Sequence, residues 1–206
     1  MDFFGVISYD LFWASLQNSE HPLHPFFDPI EDLLFRGATK AEGLVDEWMS
    51  GKYTSEHILQ IIAERTGAPY QAILDVFCED CQRLDISRPI LQGVQALREN
   101  WYCILRTDNM DSFDRFTLPA NPHLAEAFDE VHNSHTLRQL KEADGGKYFV
   151  TTASGLGVGM GHCVLIDDSA STCKLFERLG GKAYRTQTEA EVIAVLAMLR
   201  SSCPGL

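Results

Sequence analysis

Two stretches of the chain are apolar without a break and end in polar residues. Cys163-Val164-Leu165-Ile166 runs into Asp167-Asp168-Ser169, and Trp101-Tyr102-Cys103-Ile104-Leu105 runs into Arg106-Thr107-Asp108-Asn109. A short, continuous apolar run is the pattern of a strand buried on both faces. Residues 127–134 form a shorter third candidate and residues 182–186 a short edge strand. Helical spacing lies between these runs: Ile90, Val94 and Leu97, then the segment that follows Ser169, then residues 189–199. Strands alternating with helices from Pro89 onward predict a parallel sheet.

Residues 9–85 read differently. Residues 11–16 are apolar, Ile30, Leu33 and Leu34 have helical spacing, and Leu44, Val45 and Trp48 make an amphipathic face in residues 41–49, stopped by Gly51. Thr54-Ser55-Glu56-His57 caps a helix carrying Ile58, Ile61 and Ile62 that ends near Gly67, and Pro69 opens another through Ile73, Leu74 and Phe77. Such a run of short helices predicts a small bundle. The chain opens Met1-Asp2-Phe3-Phe4-Gly5, which reads as a strand end turning into a loop. Only Met1 precedes Asp2, whereas a strand takes about five residues, so this first strand of the sheet is expected to be truncated. The alternating glycines Gly155, Gly157, Gly159 and Gly161 miss the dinucleotide spacing and precede a strand, so they read as a flexible connection.

Composition narrows the partners. The 206 residues suit one α/β domain with an insertion, or two small domains. A net charge of −12 argues against nucleic acid and against an anionic membrane, but leaves room for a phosphorylated small molecule at a local positive site. Of six cysteines, Cys103 and Cys163 sit in apolar runs that favour buried thiols, and the Cys78–Cys81 spacing fits a helix face better than a structural zinc. His21 and His24, flanked by prolines, read as a surface turn. No leader pattern or long apolar span is visible, so a reducing cytoplasm is the expected location. The sequence does not indicate the oligomeric state.

Chemistry gathers at the strand ends. Adjacent carboxylates at Asp167 and Asp168 repel each other unless a cation lies between them, and an oxygen-liganded divalent ion is the natural candidate. The competing reading is a helix N-cap with one solvated aspartate. Asp2, Thr107, a lysine near Lys141 and the Asp167-Asp168 pair could meet at one edge of the sheet.

Together these segments resemble the haloacid dehalogenase-like hydrolase superfamily. Asp2-Phe3-Phe4-Gly5-Val6-Ile7 is similar to its first motif and Leu105-Arg106-Thr107-Asp108-Asn109 to its second. The stretch from Ser134 to Lys141 resembles the third, and Leu165-Ile166-Asp167-Asp168-Ser169 the fourth. The resemblance implies a parallel Rossmann-like α/β core, residues 1–9 and 89–206, with a helical cap, residues 10–88, between the first two motifs. It also implies Asp2 as a nucleophile forming an aspartyl intermediate. Thr107, with Asp108 and Asn109, would bind substrate, and Lys141 would neutralise charge, a role Lys147 could also fill. Mg²⁺ would be held by Asp2, Asp167, Asp168 and the Phe4 carbonyl. The implied activity is Mg²⁺-dependent phosphatase chemistry on a small anionic molecule. One departure bears on it: the family's second aspartate, the acid–base of its phosphatases, is here Phe4. Dehalogenase members carry an aromatic there, but lack the paired carboxylates of the fourth motif. A metal-free dehalogenase-type hydrolase and a non-catalytic binding protein are therefore the alternatives.

Overall fold

The structure, a computed structural model, describes residues 1–10, 13–36 and 43–202. The starts of two expected helical stretches, Leu11 and Ala41, lie outside the described residues.

The first part of the chain is helical. Short helices α1 (Phe27–Glu31) and α2 (Leu44–Met49) precede the longer α3 (Ser55–Thr66) and α4 (Tyr70–Gln82). The α3 boundaries follow from local chemistry. The Thr54 side chain accepts from the His57 N–H, and Gly67 adopts φ +74°, a left-handed stop that costs a residue without Cβ little. Trp13, Trp48, Ile58, Ile62 and Phe77 form the centre of this unit's own apolar cluster. Cys78 and Cys81 lie on α4, and Cys81 is buried.

The remainder alternates strands and helices. Helix α5 (Arg88–Leu97) leads to β1 (Ile104–Thr107), followed by α6 (Leu118–Ala120), α7 (Pro122–Glu126) and β2 (Glu130–Asn133). Then come α8 (Ser134–Leu137), α9 (Lys147–Gly155), β3 (Val164–Asp167), α10 (Ala170–Arg178), β4 (Lys182–Arg185) and α11 (Glu189–Ser201). Strand β1 pairs in parallel with β2, and β3 in parallel with β4. All four expected strands are present. The glycine-rich stretch is more ordered than its composition suggests, because α9 runs through Gly155 and a 3₁₀ turn, Met160–His162, leads into β3.

The two strand pairs do not join. Between them lie Met1 and Asp2, which make one rung to each side. The Met1 N donates to Ile104 O (3.0 Å) and Met1 O accepts from Arg106 N (2.9 Å), while Asp2 N donates to Ile166 O (2.9 Å). Met1 and Asp2 form a bridge one rung deep between the two pairs. Behind it the space between β1 and β3 is a cavity of about 440 Å³. Helices α5 and α11 cover one face of the sheet, and they approach closely at Gly93, where a Cβ would lie 2.8 Å from Leu196 Cδ1. On the other face, Phe149 of α9 and Phe176 of α10 pack over Leu165.

The helical unit is tied to the sheet at its carboxyl end. Buried Asp111 accepts from Trp48 Nε1 (2.9 Å), Ser55 N (3.0 Å) and Ser55 Oγ (2.6 Å), and it pairs with Arg115 (2.7 Å). Burial opposes the Asp111 charge, but these donors outweigh it and hold its carboxyl below the usual range. Ser134 Oγ donates to Met49 O (2.7 Å). Gly51, at φ +79°, lies where a Cβ would meet His135 O at 2.6 Å.

Candidate functional site

Three chain segments converge where the strands end. The first is the turn after Asp2, in which Phe3 O accepts from the N–H groups of Val6, Ile7 and Ser8. Gly5 makes this turn possible: its φ is +73°, and a Cβ there would sit 2.6 Å from Asp168 Oδ2. The turn therefore lies directly against the second acidic segment. That segment leaves β3 at Asp167, whose Oδ1 accepts from Ser169 N (2.9 Å), and Ser169 in turn caps α10 by accepting from Thr172 N. The cap of α10 is thus Ser169 and neither aspartate, while Asp167 is fully buried and Asp168 is exposed.

The third segment carries Lys141. Its backbone N–H is held by both oxygens of Asp108, each at 3.0 Å, and Asp108 is also paired with the buried Arg106 guanidinium (2.9 Å). From that anchor the Lys141 ammonium reaches between two carboxylates, donating to Asp2 Oδ2 (2.6 Å) and Asp167 Oδ2 (2.7 Å). Lys141 is 4% exposed and Asp2 8%. Lys147, the other candidate, is exposed at the start of α9.

Electrostatics follow from this crowding. Burial, and then the charge of Asp2, push the Asp167 carboxyl up to about 6. The Asp168 carboxyl is also raised, first by burial and then by Asp2. Burial works against the Lys141 charge, but Asp2 and Asp167 outweigh it and lift the ammonium above its ordinary value. Asp108 is raised by its burial, against the pull of Arg106 and Lys141.

The donor set fits a divalent cation. One oxygen from each of Asp2, Asp167 and Asp168 lies within 4.8 Å of the others, a hard-oxygen cluster in which negative charge exceeds what one lysine cancels.

The other expected residues sit nearby. Thr107 ends β1 and is buried. Asn109 is buried too, with its Oδ1 accepting from Met110 N (2.9 Å) and its N–H donating to Ser134 Oγ (2.9 Å). The Asp108 carboxylate faces the Lys141 backbone and Arg106, where it positions the lysine. Phe4 packs edge-on against Phe3, with ring centroids 4.9 Å apart. It lines a small cavity of about 20 Å³ with Trp13, Phe77, Asn109 and Ser112, at the junction of sheet and helical unit. The sequence reading missed the Asp111 tie. Its only signal was an acidic residue just past a strand tip.

No protein-family model matches the sequence, and no curated protein does. Solved structures do match. A predicted HAD-like family hydrolase from Porphyromonas gingivalis superposes with a TM-score of 0.72 at 20% identity, over 97% of this chain and 95% of that one. The chain has the haloacid dehalogenase-like fold. A HAD family enzyme from Bacteroides thetaiotaomicron, in complex with magnesium and inorganic phosphate, matches with a TM-score of 0.66 at 17% identity, over 89% of this chain and 90% of that one. L-2-haloacid dehalogenase from Xanthobacter autotrophicus matches with a TM-score of 0.60 at 15% identity, over 98% and 85%. The neighbours thus include a haloacid dehalogenase and an enzyme solved with magnesium and inorganic phosphate. No helix among the described residues is long and apolar enough to cross a membrane.

Proposed function

We propose that the chain is a Mg²⁺-dependent hydrolase of the phosphatase type. It acts on a small phosphorylated molecule through an aspartyl intermediate at Asp2, with residues 10–88 as the cap over the site. The observation that carries this reading is the seating of the Lys141 ammonium between Asp2 and Asp167, with Asp168 alongside. An anionic nucleophile approaching an anionic phosphoryl group needs such positive charge close to both.

Asp2, Asp167 and Asp168, with the Phe4 carbonyl, would hold Mg²⁺. When bound, the ion would neutralise phosphoryl charge and orient its oxygens. The work of the chain's own groups follows from chemistry. An Asp2 carboxylate oxygen attacks phosphorus, the bond to the leaving alcohol breaks, and an aspartyl phosphate forms. Water then cleaves it, releasing phosphate and restoring the carboxylate. Lys141 holds the Asp2 side chain in place and offsets its charge, and the Thr107 hydroxyl hydrogen-bonds the transferring group. Asp108 acts through Lys141, whose backbone it holds, and Asn109 borders the same space.

Phe4 has no titratable group, so the departing alcohol receives no proton from that position. A positioned general acid–base contributes about 10²–10⁴-fold, which makes this phosphatase slow on poor leaving groups. The same residue supports a second reading, a dehalogenase-type hydrolase in which Asp2 displaces halide from carbon without metal.

The test is a screen of phosphate esters and short 2-haloacids, each with Mg²⁺ and with chelator, on the wild type and on Asp2→Asn. Phosphate release that requires Mg²⁺ and Asp2 supports the first reading. Halide release that survives chelator would replace it with the second. Saturable anion binding with no turnover would leave a non-catalytic binding protein.

A further inference from the structure

We propose that Glu142 is a positioning residue for Lys141: its carboxylate ties the loop that carries the lysine to the first turn of α10, the helix that follows Asp167 and Asp168. The part Lys141 plays in catalysis rests on the phosphatase reading, whereas its placement does not.

The loop between α8 and α9 has little backbone structure with which to place a side chain. Its internal bonds are Gln139 N to Ser134 O, Ala143 N to Leu140 O and Gly146 N to Ala143 O. Four of its residues, Arg138, Asp144, Gly145 and Gly146, have φ of +55°, +52°, +66° and +79°. Arg138 and Asp144 carry a Cβ, for which the left-handed region is unfavourable. Such a backbone persists where its surroundings hold it.

The holds are side chains. Towards β1, Arg106 donates to Gln139 O (2.6 Å) and Asp108 accepts from Lys141 N (3.0 Å). These contacts fix the backbone on one flank. On the other flank, Glu142 Oε1 accepts from Ser171 Oγ (2.6 Å) and Thr172 Oγ1 (2.8 Å). Bonds to a charged oxygen are the stronger kind, and the amino end of a helix favours an anion. Thr172 is buried, so its hydroxyl has little water to replace that partner.

The tie leads back to the site. Ser171 Oγ lies 3.0 Å from Ser169 Oγ, and Ser169 N donates to Asp167 Oδ1 (2.9 Å). Lys141 adjoins Glu142 in the chain, and its ammonium donates to Asp167 Oδ2 (2.7 Å). A closed ring thus runs from Lys141 through Glu142, Ser171, Ser169 and Asp167. The ring sets the spacing of ammonium and carboxylate from two sides. Cut at Glu142, it leaves the loop held towards β1 alone, with only the flexible lysine stem spanning to Asp167.

The test reads where Lys141 sits, in chelator and without substrate, so it fails separately from the phosphatase reading. Lys141 is 4% exposed and Lys147 is exposed. Acetylation by N-acetoxysuccinimide, located by fragment masses, therefore compares a sheltered amine with a free one. In Glu142→Ala the ratio of Lys141 to Lys147 labelling rates is expected to rise about tenfold or more, as losing charge-assisted bonds favours open states of the loop. Glu142→Gln keeps an acceptor oxygen and should return the ratio to within about threefold of wild type. Ser171→Ala with Thr172→Val cuts the same bonds from α10 and should match Glu142→Ala. With p-nitrophenyl phosphate and Mg²⁺, kcat should fall about tenfold in Glu142→Ala and recover in Glu142→Gln. An unchanged labelling ratio in Glu142→Ala, even with a lower Tm, would overturn the proposal and leave Glu142 as a helix cap alone. So would a Glu142→Gln variant labelled as fast as Glu142→Ala.

Discussion

Replacing Lys141 by Met keeps the side-chain length and removes the charge that separates Asp2 from Asp167. In the folded chain the ammonium lies 2.6 and 2.7 Å from the two carboxylates, and Asp167 is fully buried. Without it two carboxylates face each other in a poorly solvated site. Breaking a buried ion pair from one side costs about 3–5 kcal/mol. For a protein of this size 1 kcal/mol moves Tm by about 2–4 °C, so Lys141→Met should melt roughly 6–20 °C lower in chelator. Mg²⁺ should then recover more Tm in the variant than in the wild type, because in the variant no ammonium competes for the same oxygens. A ligand at a hundredfold excess over its Kd adds about 2.7 kcal/mol. Thermal melts of both proteins across a Mg²⁺ series read this directly. A variant within about 2 °C of wild type in chelator, or an equal Mg²⁺ gain in both, would refute the electrostatic reasoning.

Three further outcomes are expected. Phe4→Asp should raise turnover of alkyl phosphates more than of aryl phosphates, since alkyl leaving groups depend more on proton delivery; a folded, Mg²⁺-binding variant with no gain on either would contradict the role given to Phe4. Mg²⁺ affinity, measured by calorimetry, should fall as pH drops through about 6, because the Asp167 carboxyl is raised to that value and binding requires its ionised form; constant affinity from about pH 5 to about pH 8 would contradict it. Gly5→Ala should cost roughly 1–2 kcal/mol for the left-handed backbone. It should also weaken Mg²⁺ binding, because the new methyl displaces Asp168; stability loss with unchanged affinity would separate the turn from the site.

Much of the fold was legible because it is written in short-range pattern. The runs at Ile104 and Val164 are apolar on both faces, and the caps Thr54 and Ser169 each bond an amide three residues on. What the pattern did not carry was set by distant contacts. Lys141 and Lys147 look equivalent in sequence, and the choice falls to Asp108, 33 positions away, whose carboxylate grips the Lys141 amide. The same carboxylate is also paired with Arg106, a contact the local sequence does not announce. Asp111 gave no local sign that it would accept from Trp48 and Ser55, 63 and 56 positions distant. The single rung made by Met1 and Asp2, which leaves the sheet in two halves, depends on backbone geometry that side-chain pattern does not encode.

The central claim is that Asp2 is the nucleophile of a phosphoryl-transfer site. Its most direct test is the mass of the peptide carrying Asp2 after acid quench of the enzyme turning over p-nitrophenyl phosphate with Mg²⁺. The account predicts a phosphoryl group on that peptide, and neither adduct nor turnover in Asp2→Asn. An Asp2→Asn variant that hydrolyses the ester at the wild-type rate would contradict it.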